Sequence, residues 1–152
     1  MAAGIEESVD RSAVDWALLV ARVVVGVIFM AHGSQLMFGA FNGPGLAGFV
    51  KMMGPIGYLV AIGQFFGGLG LVVGFLSRFS AASLIVIMIG AIVKVHLPNG
   101  FFLGPKPGYE YNLALIGLLA PILIAGPGAF TIGRLLPLPR IGQTKRPIGI
   151  LE

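Results

Sequence analysis

Four long apolar runs with almost no charge inside them constrain this chain more than any other feature. They cover about residues 13–38, 55–76, 79–97 and 109–125. A bilayer core of roughly 30 Å is crossed by about 20 helical residues at 1.5 Å each. Backbone groups in lipid must be satisfied within the segment, so such runs are read as helices. The apolar fraction is 57% and the charged fraction 11%, against roughly 45–50% and about 25% in ordinary soluble domains. A soluble fold of this length could not hide that much apolar surface. The expected fold class is therefore all-α: a four-transmembrane-helix bundle.

The segment "GPGLAGFVKMMGP" after the first run is too short to span. Leu46, Phe49, Val50 and Met53 fall at i, i+3, i+4 and i+7, the spacing of an amphipathic helix. It reads as a short interfacial helix between spans 1 and 2, with Lys51 toward headgroups or water. "SAVD" reads as a capping box opening span 1, with Ser12 as cap and Asp15 returning a bond. Trp16 falls at the interface. Pro121 lies inside span 4, where a kink is expected. The expected organisation is an N-terminal cytoplasmic tail over 1–12, a membrane domain over 13–133 and a basic, proline-rich tail over 134–152. The acidic start "MAAGIEESVD" does not suit a secretory signal, so the first run is expected to be retained.

The net charge of +4 follows topology rather than a nucleic-acid surface. With four spans, Arg11, Arg78, Arg134, Arg140, Lys145 and Arg146 share one side, and Lys51, Lys94 and Lys106 the other. Six against three places both termini in the cytoplasm of a prokaryotic cell, in its inner membrane. There is no cysteine, which excludes disulfides, iron–sulfur clusters and thiolate metal sites within the chain. No phosphate-binding glycine loop, Gly-x-Ser-x-Gly or His-Glu-x-x-His occurs. No metal site is expected.

The polar residues that remain are few. Span 1 ends with His32 and Gln35, span 3 with Lys94 and His96, then Asn99, and span 4 opens with Tyr109, Glu110 and Asn112. The four-span topology gathers them near the non-cytoplasmic face. Glu110 is the only acid between Asp15 and Glu152. At a helix start it pairs with Lys94 or Lys106, or it handles protons with His96 as relay beside a redox or quinone pocket. Arg22 lies about 9 Å past Trp16 along the helix; it snorkels, or it meets an internal anionic or carbonyl partner. Gln64, mid-span, bonds a neighbouring helix or a ligand. Gly63 and Gly67, and Gly70 and Gly74, form two small-x-x-x-small pairs that allow close helix packing. A haem between His32 and His96 is disfavoured, since neither helix shows a second pair.

The ordered segments "ARVVVGVIFMAHGSQLMFG", "GQFFGGLGLVVGFLSRFSAA", "HLPNGFF", "GYEYNLALIG" and "GPGAFTIG" resemble the DoxX family of small four-helix membrane proteins. The resemblance runs from about Leu18 to Leu135. Its matching positions are Arg22, His32, Gly33, Gly67, Gly68, Gly74, Arg78, His96, Asn99, Gly100, Phe101, Glu110, Gly126 and Gly128. The family often has glutamate where this chain has Gln64, and aspartate where it has Gly133. Losing both carboxylates argues against catalysis by this chain alone.

The resemblance implies a place in membrane redox assemblies, since the family takes its name from a small subunit found with thiosulfate:quinone oxidoreductase and terminal oxidase. The function expected is an accessory subunit of a quinone-linked oxidoreductase. Its candidate ligand residues are Arg22, His32, Gln35, Gln64, Lys94, His96, Asn99, Tyr109 and Glu110. The expected partners are lipids and other subunits; the expected ligand is a quinone or lipid, with no tightly held cofactor. The alternatives are a purely structural anchor that docks through its tail, and a small solute or proton transporter using Arg22, Gln64 and Glu110. The usual transporter repeats and broken helices are missing.

Overall fold

The computed structural model describes residues 2–132, with side chains from Arg11 onward. The expected tail over 134–152 lies outside the described residues. Among the described residues five α-helices follow one another: α1 (Ala2–Phe38), α2 (Gly45–Met53), α3 (Ile56–Val73), α4 (Ser77–Ala91) and α5 (Glu110–Ala125). Helix α4 continues through a π turn, Ile92–His96, and a 3₁₀ turn, Leu97–Asn99. Three stretches are long and apolar enough to cross a bilayer, Arg11–Phe38, Ile56–Val73 and Ser77–Asn99. Helix α5 has 16 residues, about 24 Å of helix.

Helices α1, α3, α4 and α5 close a four-membered ring: α1 packs on α3, α3 on α4, α4 on α5, and α5 back on α1. Helix α2 packs on both α3 and α1. Each helix of the ring turns one stripe inward. On α1 it is Leu18, Arg22, Val25 and Phe29; on α3, Ala61, Gln64, Gly68 and Leu71; on α4, Ser77, Ala81, Leu84 and Met88; on α5, Asn112, Leu115, Leu119 and Ile122. Every stripe carries a polar residue, while Val20, Val24, Leu59, Val86 and Ile124 face outward. Lipid is as apolar as leucine, so polarity does not have to point away from the core. The arrangement is that of a membrane bundle.

Glycine sets the α1–α3 contact. A Cβ on Gly68 would stand 2.6 Å from the Gly26 carbonyl and 2.7 Å from the Met30 amide, and one on Gly33 would collide with the Phe65 backbone. Gly63 and Gly67 face Ile87 and Leu84 of α4, and Gly70 faces Ser80. These small residues are used within the chain.

One local expectation is corrected. No capping box forms at Ser12, because α1 runs unbroken from Ala2; the Asp15 carboxylate instead accepts the Ala129 amide at 2.8 Å. The backbone of the segment 2–12 is helical and continuous with the rest of α1. Pro121 sits within α5, which runs past it to Ala125. A proline there has no amide to offer the carbonyl of Gly117, four residues earlier.

Candidate functional sites at the two ends of the bundle

A cavity of about 1010 Å³ lies beside α3 and α4 and reaches the end of the bundle that carries His96. Its walls are mostly aliphatic and aromatic: Phe29 and Ile87, and also Leu59, Phe79 and Val86, which lie on the outward face of the bundle, so the cavity is open on that side. Helix α2 contributes Phe49 and Met53, two positions of its apolar stripe. Polar side chains enter the wall at a few points: His32, Gln64, Lys94, His96, Tyr111 and Asn112. They come from four helices, so only the closed ring brings them together. The π turn at Ile92–His96 lies where Lys94 and His96 reach the cavity. Such turns add a residue without breaking the helix and re-aim the side chains around them.

Gln64 lies near the middle of α3 and far from either helix end. Its side chain is only 9% exposed, it stands in the cavity wall, and it makes no hydrogen bond among the described residues. A carboxamide offers two donors and an acceptor, and those of Gln64 are left to whatever occupies the cavity. Asn112, also buried, turns its amide to the Met88 sulfur at 3.4 Å, a weak acceptor. His32 lies beside Tyr111, their ring centres 6.2 Å apart.

The other candidates read from the sequence hold the loop that closes this end. The His96 Nδ1 lies 2.9 Å from the Pro107 carbonyl. A carbonyl only accepts, so Nδ1 carries the proton and Nε2 of the neutral ring is an acceptor. Asn99 donates to the same carbonyl at 3.1 Å. Glu110 accepts the Leu103 amide at 2.7 Å, while its own amide bonds the Phe101 carbonyl at 2.9 Å. Gly108 is closely surrounded by the carbonyls of Gly100, Phe101 and Phe102, so only glycine fits there. Tyr109 stacks edge-on against Phe101 at 5.3 Å. Asn99, Tyr109 and Glu110 are outside the cavity wall. Gln35 stands apart from them, its backbone packed against Gly43 in the turn after α1.

Arg22 belongs to neither group. It lies at the opposite end, 1% exposed, and donates from Nη2 to the Phe130 carbonyl. Its Nε and Nη1 have no partner. Nearby, a groove of about 900 Å³ is lined by Arg11, Asp15, Ser77, Arg78 and Thr131. The sequence alone does not group Arg22 with Ser77 or Thr131. The three lie on separate segments, and no spacing along the chain links them.

Among the described residues no group of three or more histidine, aspartate or glutamate side chains could hold a metal ion. The sequence matches the DoxX family over residues 17–97. It is 31% identical over 127 residues to Inner membrane protein YqjF of Escherichia coli (strain K12), covering 80% of this chain and 93% of that protein. No solved structure matches the chain.

Proposed function

Because the chain belongs to the DoxX family and is a bacterial inner-membrane protein, we propose that it serves as an accessory subunit of a quinone-linked redox complex and holds the quinone in the cavity beside α3 and α4. The carrying observation is Gln64, a largely buried residue that bonds no described residue and stands in the wall of a mostly apolar cavity. A quinone is a flat ring with two carbonyl acceptors and an apolar tail. Gln64, Lys94 and Tyr111 supply donors for the carbonyls, and the aliphatic walls suit the tail. Ligand sites of this kind are mostly apolar with a few placed polar groups, and occupy about 300–1,000 Å³.

The chain supplies binding and orientation, while a partner subunit carries the electron-transfer groups. His96 Nε2 is an acceptor beside the cavity and suits taking a proton from a quinol hydroxyl. Both termini are cytoplasmic on the distribution of Lys and Arg, which puts this cavity toward the opposite face. The test is to purify the full chain in mild detergent, extract it, and identify bound quinone by mass and absorbance. Retained quinone that is lost in Gln64→Leu supports the reading. A chain that retains none when loaded with excess quinone removes the pocket, and an isolated chain that reduces quinone at full rate removes the accessory role.

A further inference from the structure

The groove at the Arg22 end has the make-up of an anion site. The first turn of α4 opens into it through Ser77 and Arg78. The amide of Ser80 bonds back to the Leu76 carbonyl at 2.9 Å. The amides before it leave the positive end of the helix free for an acceptor. Ser77 is 3% exposed, lies in the groove wall, and its hydroxyl has no partner. Arg11 and Arg78 bring two cationic side chains to the same wall. Arg78 is steadied by one bond from Nη2 to the Ile124 carbonyl at 3.1 Å. The one carboxylate in the wall, Asp15, is engaged through Oδ1 with the Ala129 amide.

Arg22 stands directly behind this wall. Gly74 adopts φ 75°, and any Cβ on it would collide with Arg22 Nη1 and come within 2.9 Å of Thr131. Gly74 and Thr131 both line the groove. Arg22 makes no ion pair among the described residues. A buried guanidinium with two unpaired nitrogens is a large uncompensated charge, and it favours a negative ligand nearby.

We propose that this groove binds a phosphate group, supplied by the headgroup of an anionic phospholipid. Arg78 and the α4 amides meet the phosphate oxygens, Ser77 donates its hydroxyl, and Arg22 and Arg11 supply field from behind and beside. Phosphate is favoured because it offers several strong acceptors to several donors and is recognised well by arginine. The lipid is favoured because the groove lies beside Trp16, whose ring packs 4.7 Å from that of Phe130; aromatic residues of this kind mark the headgroup level. Basic pockets between membrane helices hold anionic headgroups on the same principle.

The experiment uses the full chain in a neutral detergent, offered equal amounts of phosphatidylglycerol and of phosphate-free diacylglycerol with the same acyl chains, and reads retained lipid by native mass spectrometry. Phosphatidylglycerol is expected in excess by about tenfold, the effect of one charge-assisted hydrogen bond or more. Ser77→Ala and Arg78→Gln should each lower that preference several-fold. Ser77→Ala should leave the lipid-free melting midpoint unchanged, because its hydroxyl bonds nothing in the protein. Inorganic phosphate is the second arm: if it raises the midpoint and displaces phosphatidylglycerol, the site takes free phosphate instead. Equal retention of the two lipids with no response to phosphate overturns the proposal. So does a phosphatidylglycerol preference that survives both substitutions, which would assign it to the bases of the C-terminal segment.

Discussion

Arg22 and Phe130 are 108 residues apart in sequence, and the guanidinium of one donates to the carbonyl of the other. The bond ties the first membrane helix to the segment after the last. It also fixes the Arg22 head beneath Gly74, with two of its nitrogens unpaired. Within an isolated chain this is a poor use of a cation. Replacing a buried charge by an apolar group of similar volume is often neutral, whereas truncation leaves a cavity. Arg22→Met should therefore change stability in lipid-free detergent by no more than about 1 kcal/mol. Arg22→Ala should lose about 2–4 kcal/mol. Thermal unfolding of the two variants side by side decides it.

The glycines divide into two groups by what surrounds them. Gly33→Ala and Gly68→Ala each force a methyl group into the opposing backbone, at Phe65 in one case and at Gly26 and Met30 in the other. Each should cost about 2–3 kcal/mol or more, since the two helices must separate to admit it. A methyl group on Gly117 would meet nothing within 4 Å, and the residue lies within α5. Gly117→Ala should be neutral or stabilising by up to about 1 kcal/mol through helix propensity. Denaturant titration in detergent reads all three.

The loop after α4 provides a separate test of what Glu110 does. Its carboxylate receives the Leu103 amide, and a glutamine side chain keeps an oxygen there. Glu110→Gln should leave hydrogen exchange of the Leu103 amide within a few-fold of the parent. Glu110→Leu should raise it by about tenfold, the effect of losing a bond to a charged group of about 1.5–3 kcal/mol. If Glu110→Gln keeps the loop closed yet the redox complex proposed above loses quinone turnover, the carboxylate also handles protons. If turnover is kept, its work is confined to the loop.

Much of the fold can be read from the order of the apolar runs, because a bilayer demands continuous helices of near-fixed length. The short helix α2 is legible from the spacing of Leu46, Phe49, Val50 and Met53, and the glycine-rich face of α3 from its small residues. Ser12 misleads as a helix start because a capping box is a local signal, and an acidic segment that continues a helix has the same residues. The polar cluster is legible only as a shared depth. Whether His96 faces a cavity or a carbonyl depends on a π turn at Ile92–His96, and whether Glu110 faces a ligand or the Leu103 amide depends on how the loop folds back. Neither has a one-residue signature. The Arg22 groove is the least legible, since Arg22, Ser77 and Thr131 meet only through tertiary packing.

Gln64 gives the last prediction, and it separates stability from binding. The residue is largely buried and bonds nothing among the described residues, so the protein alone gains little from its polarity. An apolar side chain of similar size removes the unpaired groups and keeps the volume. Gln64→Leu should leave the melting midpoint in detergent unchanged or raise it, by an amount equivalent to about 1–2 kcal/mol at most. The same substitution should weaken binding of a short-chain quinone by about five- to tenfold, because one hydrogen bond to a ring carbonyl is lost. A stabilised protein that binds quinone less well locates the amide's purpose in the ligand. A destabilised one means that Gln64 joins helices, and the cavity then loses the residue that most argues for an occupant.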